Sequence, residues 1–215
     1  MDGAGISDSA SVAERLTLTE SDSQAVAELF SQYRDRLERM VEYRMDRRLV
    51  GRVDPADVVQ DAYLEVARRV PQYLAAPTVS FFVWARQITW QTLLATHRRH
   101  LGLKRHAGRD VSLRDGNSST TSAYLLVEQL AAQLTSPSHV AIRAERLQRL
   151  RTAIASMDDT DREILVLRHF EQAGNAEAAE ILGLKKTAAS NRYVRALKRL
   201  KEILDQTPEF CDARN

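Results

Sequence analysis

Apolar positions recur along this chain with a helical period, and no segment alternates convincingly as a strand would. From Ala25 onward, Val26, Leu29, Phe30, Tyr33, Leu37, Met40 and Val41 fall on one stripe, while Arg34, Asp35, Arg36 and Glu38 occupy the remaining face. A second helix is predicted to start at Asp54-Pro55-Ala56-Asp57. Asp54 is placed to cap, Pro55 suits the first helical position, and the Asp57 carboxylate meets the positive end of the helix dipole. Val58, Val59, Ala62, Leu64, Val66 and Ala67 are the expected buried side, with Pro71 ending the helix and 75–78 forming a short loop. A third helix covers about 80–97. Its Phe81, Trp84, Ala85, Ile88, Leu93 and Leu94 lie on more than one side, which predicts a central place in a bundle.

The pattern then breaks. Gly102, Gly108 and the Gly/Ser/Thr-rich run 116–122 mark a linker, with one short helix over 124–134. Thr135-Ser136-Pro137-Ser138 opens another helical run, whose stripe is Val140, Ala144, Leu147, Leu150 and Ile154. Thr160-Asp161-Arg162-Glu163 has the form of a capping box, with Ile164, Leu165 and Leu167 behind it. Ala176, Ala179, Ile181 and Leu182 make a small-residue helix, and Gly183 permits the left-handed turn that a tight corner needs. Leu184 and Ala188 are expected to tuck under the next helix. The prediction is an all-α fold of two small helical domains, 22–100 and 139–204, the second containing a helix-turn-helix. A disordered tail (1–21), a flexible linker (101–138) and a C-terminal tail (205–215) complete it.

Charge changes this picture through its distribution, not its sum. The 215 residues carry a net +2, yet 1–70 is richer in acid than in base, and 97–109 and 185–201 are basic islands without one acid. Cys211 is the sole cysteine, so an internal disulfide or a CxxC metal clip is excluded, and no His/Cys cluster has metal spacing. Neither a metal nor another cofactor is expected. No apolar run is long enough to span a bilayer, and 1–11 lacks the regions of a signal peptide, so a cytoplasmic protein with no membrane partner is expected.

Three surfaces are candidates for function. The helix after Gly183 directs Lys185, Lys186, Ser190, Asn191, Arg192 and Arg195 outward. Arg reads guanine, Asn reads adenine and Lys neutralises phosphate, so the helix suits a DNA major groove. The plain alternative is an amphipathic hairpin with a solvated basic face. Asp57 and Asp61, four residues apart with Gln60 and Glu65 nearby, suit a basic partner surface, or else are a solvated helix face. No His, Ser or Cys stands ready to join these carboxylates, so acid/base catalysis is discounted and no catalytic residue is assigned. Phe81, Phe82, Trp84 and Trp90, followed by Arg98 and Arg99, could stack unpaired bases beside a phosphate-binding rim. Phe81 and Trp84 share a stripe with Ile88 and belong to the core, whereas Trp90 and Gln91 fall off it.

Three blocks together resemble bacterial sigma factors of the extracytoplasmic-function (ECF) type within the sigma-70 family. They are Asp54-Pro55-Ala56-Asp57-Val58-Val59-Gln60-Asp61-Ala62-Tyr63-Leu64, Phe81-Phe82-Val83-Trp84-Ala85-Arg86-Gln87-Ile88, and the stretch from Asp161 to Leu200. The resemblance implies a non-enzymatic transcription initiation factor. Its partners would be core RNA polymerase (the β′ clamp helices and the β flap) and promoter DNA, with room for an anti-sigma factor. It implies polymerase binding by Asp57, Gln60, Asp61 and Leu64, and opening of the −10 element by the loop near 74–80 and the aromatic helix. Trp90, Gln91, Arg98 and Arg99 are the −10 candidates; Lys186, Ser190, Asn191, Arg192, Arg195, Lys198 and Arg199 are the −35 candidates. The chain departs from the common pattern at Gln91 (often Asn), Ala95 (often Asp), and Gly174 and Lys185 (often capping Ser). A dimeric helix-turn-helix regulator and a helical adaptor that never touches DNA are the competing readings.

Overall fold

The computed structural model describes residues 22–101, Val127, Gln148 and 150–205. The predicted N-terminal tail, the linker apart from Leu101 and Val127, the helix over 124–134, the helix start at 135–138 with Val140, Ala144 and Leu147, and Cys211 lie outside these residues. The chain divides into two compact units, Met1–Leu113 and Arg114–Asn215. The fold is all-α: among the described residues the only β feature is a single Val50–Val53 bridge.

The first unit packs α1 (Asp22–Arg44), α2 (Pro55–Ala75) and α3 (Phe81–Leu101) against one another. The predicted α1 stripe is its core: Val26, Leu29, Phe30, Leu37, Met40 and Val41 are buried, and Tyr33 half-buried. Phe30 meets Tyr63 of α2 at 5.3 Å between ring centroids, and Tyr33 meets Phe82 of α3 at 5.3 Å. The Arg36 guanidinium lies 3.7 Å above the Phe82 ring, a cation–π contact that covers the core edge.

The start of α2 is as expected. Asp54 caps it, its Oδ1 accepting from the Ala56 N–H at 2.9 Å, and Pro55 occupies the first turn. Two other expectations for α2 fail. Pro71 does not end the helix, which runs on to Ala75. A proline forfeits one ladder bond to the residue four earlier, and packing of Val70 and Tyr73 against the core holds the turn regardless. The helix stops at Ala76, before Pro77, where the α region is sterically disfavoured. Leu64 is not buried but 61% exposed. Burial follows the inward face of Val58, Val59, Ala62, Val66, Val70 and Tyr73, and Leu64 falls on the opposite side.

Tyr73 closes the α2–α3 corner. Its hydroxyl donates to the Val79 carbonyl at 2.9 Å and its ring stacks on Trp84 at 4.5 Å. α3 is central, with Phe81, Phe82, Val83, Ala85, Ile88 and Leu93 all buried, and it extends through the predicted basic end to Leu101. Arg98, Arg99 and His100 thus sit in its last turn, where the helix dipole favours cations.

The second unit contains a short helical segment over 150–155, then α4 (Asp159–His169), α5 (Asn175–Leu182) and α6 (Lys186–Asp205). The cap of α4 is not Thr160. Asp158 accepts from the N–H groups of Thr160 (2.9 Å) and Asp161 (3.3 Å), so the helix starts two residues earlier than the capping box implied. A carboxylate two residues earlier outcompetes the threonine hydroxyl, and Asp161 is released for another role. Arg162 is 3% exposed and donates to the carbonyls of Ile154 (3.3 Å), Ala155 (3.0 Å) and Met157 and to Asp159. It thereby satisfies the open carbonyl end of segment 150–155.

α5 and α6 form the predicted helix-turn-helix. Gly183 adopts φ 62°, ψ 37°, and the Leu184 N–H donates to the Ala179 carbonyl at 2.8 Å. Gly174 begins α5 without a side-chain cap, and Glu177 compensates by accepting from the Gly174 N–H at 2.6 Å. Asn175 Nδ2 donates across to the Lys186 carbonyl at 3.0 Å, tying the start of α5 to the start of α6. The residue tucked under α6 is Ala189, fully buried with Ala196, while Ala188 is exposed. The inward stripe is one position later than expected because α6 begins only at Lys186.

Candidate functional site

On α2, Asp57, Gln60, Asp61 and Leu64 are all exposed and follow a three- and four-residue spacing, so they form one outward stripe opposite the core. The stripe combines two carboxylates and an amide with an apolar side chain.

Asp61 and Leu64 also border a groove of about 400 Å³ between α2 and α3, whose other wall includes Gln91 and Arg99. The residues expected to meet polymerase and two of those expected to meet the −10 element are therefore neighbours. Within the groove, Glu65 Oε2 accepts from Arg68 at 2.6 Å and from Arg69 at 2.7 Å. Burial alone would raise the Glu65 carboxyl, but Arg69 and Arg68 outweigh it and hold it below its ordinary value. Arg69 also donates to Gln91 Oε1 at 3.3 Å. Of the other −10 candidates, Arg98 is exposed. Trp90 is half-buried, with the Arg44 guanidinium 5.6 Å from its ring centroid and its indole nitrogen inaccessible. Only the exposed part of its ring is open to a base.

Near the end of α3, His97 Nε2 accepts from the Asp46 N–H at 3.3 Å, tying the loop after α1 to α3. Burial lowers the His97 pKa, with Asp46 opposing and Arg48 adding to the shift, in keeping with a neutral ring that accepts a hydrogen bond. Arg48 holds Asp46 itself down at about 2.

On α6, Lys186, Ser190, Asn191, Arg195, Lys198 and Arg199 are exposed, and Val194, 48% exposed, stands among them. Arg192 differs. Its side chain keeps only 26% of its accessible surface, and it donates to Asp158 Oδ1 at 2.7 Å and Asp161 Oδ1 at 2.8 Å. Arg195 forks onto the same carboxylate, with Nη2 at 2.9 Å from Oδ1 and Nε at 3.3 Å from Oδ2. Asp161 is 6% exposed and thus locks α6 to the start of α4. Arg192 belongs to the helix clamp more than to the outer face. Arg195 is held at one end while its side chain remains 61% exposed. Lower on the helix, Arg199 pairs with Glu202 at 3.1 Å.

Sequence reasoning missed Arg69, Asp158, Asn175 and Val194, and assigned Asp161 to a cap. The cluster Asp158-Asp159-Thr160-Asp161 ahead of a helix whose partner is rich in arginine was the available signal for the clamp. Nothing in the sequence pairs Arg69 with Gln91, since that contact depends on how α2 and α3 cross.

Residues 147–200 match the family described as sigma-70, region 4. The match begins in the segment ahead of α4 and takes in α4, α5 and most of α6 with its clamp. Over 159 residues, 72% of this chain, the sequence is 29% identical to a protein named probable RNA polymerase sigma factor RfaY from Xanthomonas campestris pv. campestris. Residues 147–200 therefore carry a sigma-70 region 4 segment. The alignment covers 35% of that relative, so the chain spans about a third of its length. No solved structure matches the chain. The matched segment contains the α5–α6 helix-turn-helix of the second unit. Among the described residues no helix is long and apolar enough to cross a membrane, and no three His, Cys, Asp or Glu side chains cluster to hold a metal.

Proposed function

We propose that this chain is an ECF-type sigma factor that binds core RNA polymerase, recognises promoters and opens the −10 element. Residues 22–100 act as the region 2-like domain, 139–204 as the region 4-like domain, and 101–138 as the linker between them. Asp57, Gln60, Asp61 and Leu64 dock on the β′ clamp helices. Trp90, Gln91, Arg98 and Arg99 face the −10 strand. Lys186, Ser190, Asn191 and Arg195 read the −35 groove, with Lys198 and Arg199 toward the phosphates and Arg192 setting the pose of α6. The second unit also contacts the β flap, and an anti-sigma factor acts by covering one of these faces.

The observation that carries this reading is a region 4 helix-turn-helix with its basic stripe turned outward, in a chain whose other unit presents an acidic stripe with a bare leucine. The work is binding and strand separation, with no covalent step. Phosphate contacts position the protein, and a few side chains on exposed base edges specify it. Unpairing costs energy, so opening depends on polymerase, and the isolated chain is expected to bind DNA weakly and salt-sensitively.

Transcription from a promoter library with purified core polymerase tests this. Asp61→Arg should abolish polymerase binding and leave −35 duplex binding intact. Asn191→Ala should cost about 1–3 kcal/mol of discrimination at one −35 base and leave polymerase binding intact. Tight duplex binding at high salt without polymerase would instead mark a stand-alone regulator, and no DNA dependence at all would mark an adaptor.

A further inference from the structure

The groove between α2 and α3 contains a relay that decides which end of one amide faces outward. Glu65 and Arg69 lie one turn apart on α2, and Arg69 Nη2 donates to Glu65 Oε2 at 2.7 Å. The other terminal nitrogen of the same guanidinium, Nη1, donates to Gln91 Oε1 on α3 at 3.3 Å. Arginine has only N–H groups to offer, so the Gln91 atom turned toward it must be the carbonyl oxygen. The amide is thereby oriented, and its Nε2 amino group is the end left for a ligand. Among the described residues that amino group has no hydrogen-bond partner, and Gln91 borders open groove.

An unconstrained glutamine reads adenine with both atoms, accepting from the N6 amino group while donating to N7. Gln91 has one lone pair of its acceptor taken by a cation, which turns that oxygen toward α2, and keeps its donor free. We propose that Arg69 is a positioning residue that presents Gln91 to an unpaired promoter base as a hydrogen-bond donor. The base held there is one that turns acceptors toward the amide, such as guanine through O6 and N7 or a pyrimidine through its O2 carbonyl. Adenine, which sets its N6 donor beside N7 on that edge, is held by one bond fewer. This rests on the reading of the first unit as the −10-binding domain.

The test uses the full chain with core polymerase on promoters randomised across the −10 element, with transcripts counted by sequencing. Gln91→Ala should erase the preference at one position, which identifies the base it meets. Arg69→Met should raise adenine usage at that position about tenfold, as expected when one bidentate contact is restored, and leave the other positions as in wild type. Arg69→Lys keeps a donor and should restore part of the bias against adenine. Two outcomes overturn the proposal: Gln91→Ala changing no position while transcription persists, or Arg69→Met shifting none or all positions alike. If the folded wild-type chain supports no polymerase-dependent transcript from any library member, the sigma-factor reading itself falls, and the base proposal with it.

Discussion

The two units use carboxylate–arginine pairs in different ways. In the second, Asp161 gathers Arg192 and Arg195 from 31 and 34 residues away, so one nearly buried carboxylate joins two helices. In the first, Glu65 and Arg69 are one turn apart on the same helix, and a single 3.3 Å hydrogen bond to Gln91 reaches the next one. The α4–α6 clamp is therefore part of what folds the unit, whereas the α2–α3 relay is an adjustment laid over a core already closed by Phe30, Phe81, Phe82 and Leu93. Similar chemistry, a carboxylate steering an arginine, joins two helices in one unit and orients a single amide in the other.

The largest expected effect breaks the clamp. Asp161→Ala leaves half-buried Arg192 short of one of its two carboxylates, and should destabilise the second unit by roughly 2 kcal/mol. Both tryptophans, Trp84 and Trp90, lie in α3, so tryptophan fluorescence reports the first unit alone. Urea unfolding should therefore shift when followed by circular dichroism while the fluorescence midpoint stays in place. A matching fluorescence shift would mean that the units do not unfold separately.

A smaller effect sharpens the contrast through pH. His97 has a folded-state pKa below its ordinary value near 6.5, chiefly because of burial. The unfolded chain then takes up the proton more readily, so stability present above that value is lost as pH falls below it toward the folded value. The fluorescence-detected midpoint should drop between pH 7.5 and 5.5, and His97→Gln should flatten the slope. Asp46, held at about 2, stays charged throughout this window. His169 is also lowered, by burial and then by Arg168, and gives the second unit a slope of the same sign that fluorescence does not see. A fluorescence slope that survives His97→Gln would remove His97 as its cause.

The smallest effect concerns the relay. Glu65→Gln weakens partly exposed ion pairs and should change first-unit stability by no more than about 0.5 kcal/mol. A loss several times larger would make the relay a structural element like the clamp, and the distinction between the units would fail.

Much of this was legible in the chain because it depends on nearest neighbours along it. The α1 stripe, the Asp54 cap and the left-handed Gly183 are consequences of local spacing and backbone sterics, and each stands as expected. The errors share another origin. Pro71 reads locally as a stop, but the cost of one missing ladder bond is outweighed by the packing of Val70 and Tyr73 on either side. Leu64 counts as apolar in any pattern, yet its side of α2 is the outer one. Thr160 could have capped α4, and Asp158 was the stronger acceptor. Arg192 looked like its basic neighbours, because only the crossing of α4 and α6 brings it to Asp158 and Asp161. Relations between helices, not the helices themselves, were what the sequence withheld.

The anchoring of Arg162 has a mechanical consequence. From the first turn of α4, its guanidinium grips the carbonyls of Ile154, Ala155 and Met157. Segment 150–155 and α4 are therefore joined by side-chain bonds as well as by the chain between them. The helix that carries the Asp161 clamp is thus tied at its first turn both to the segment before it and to α6.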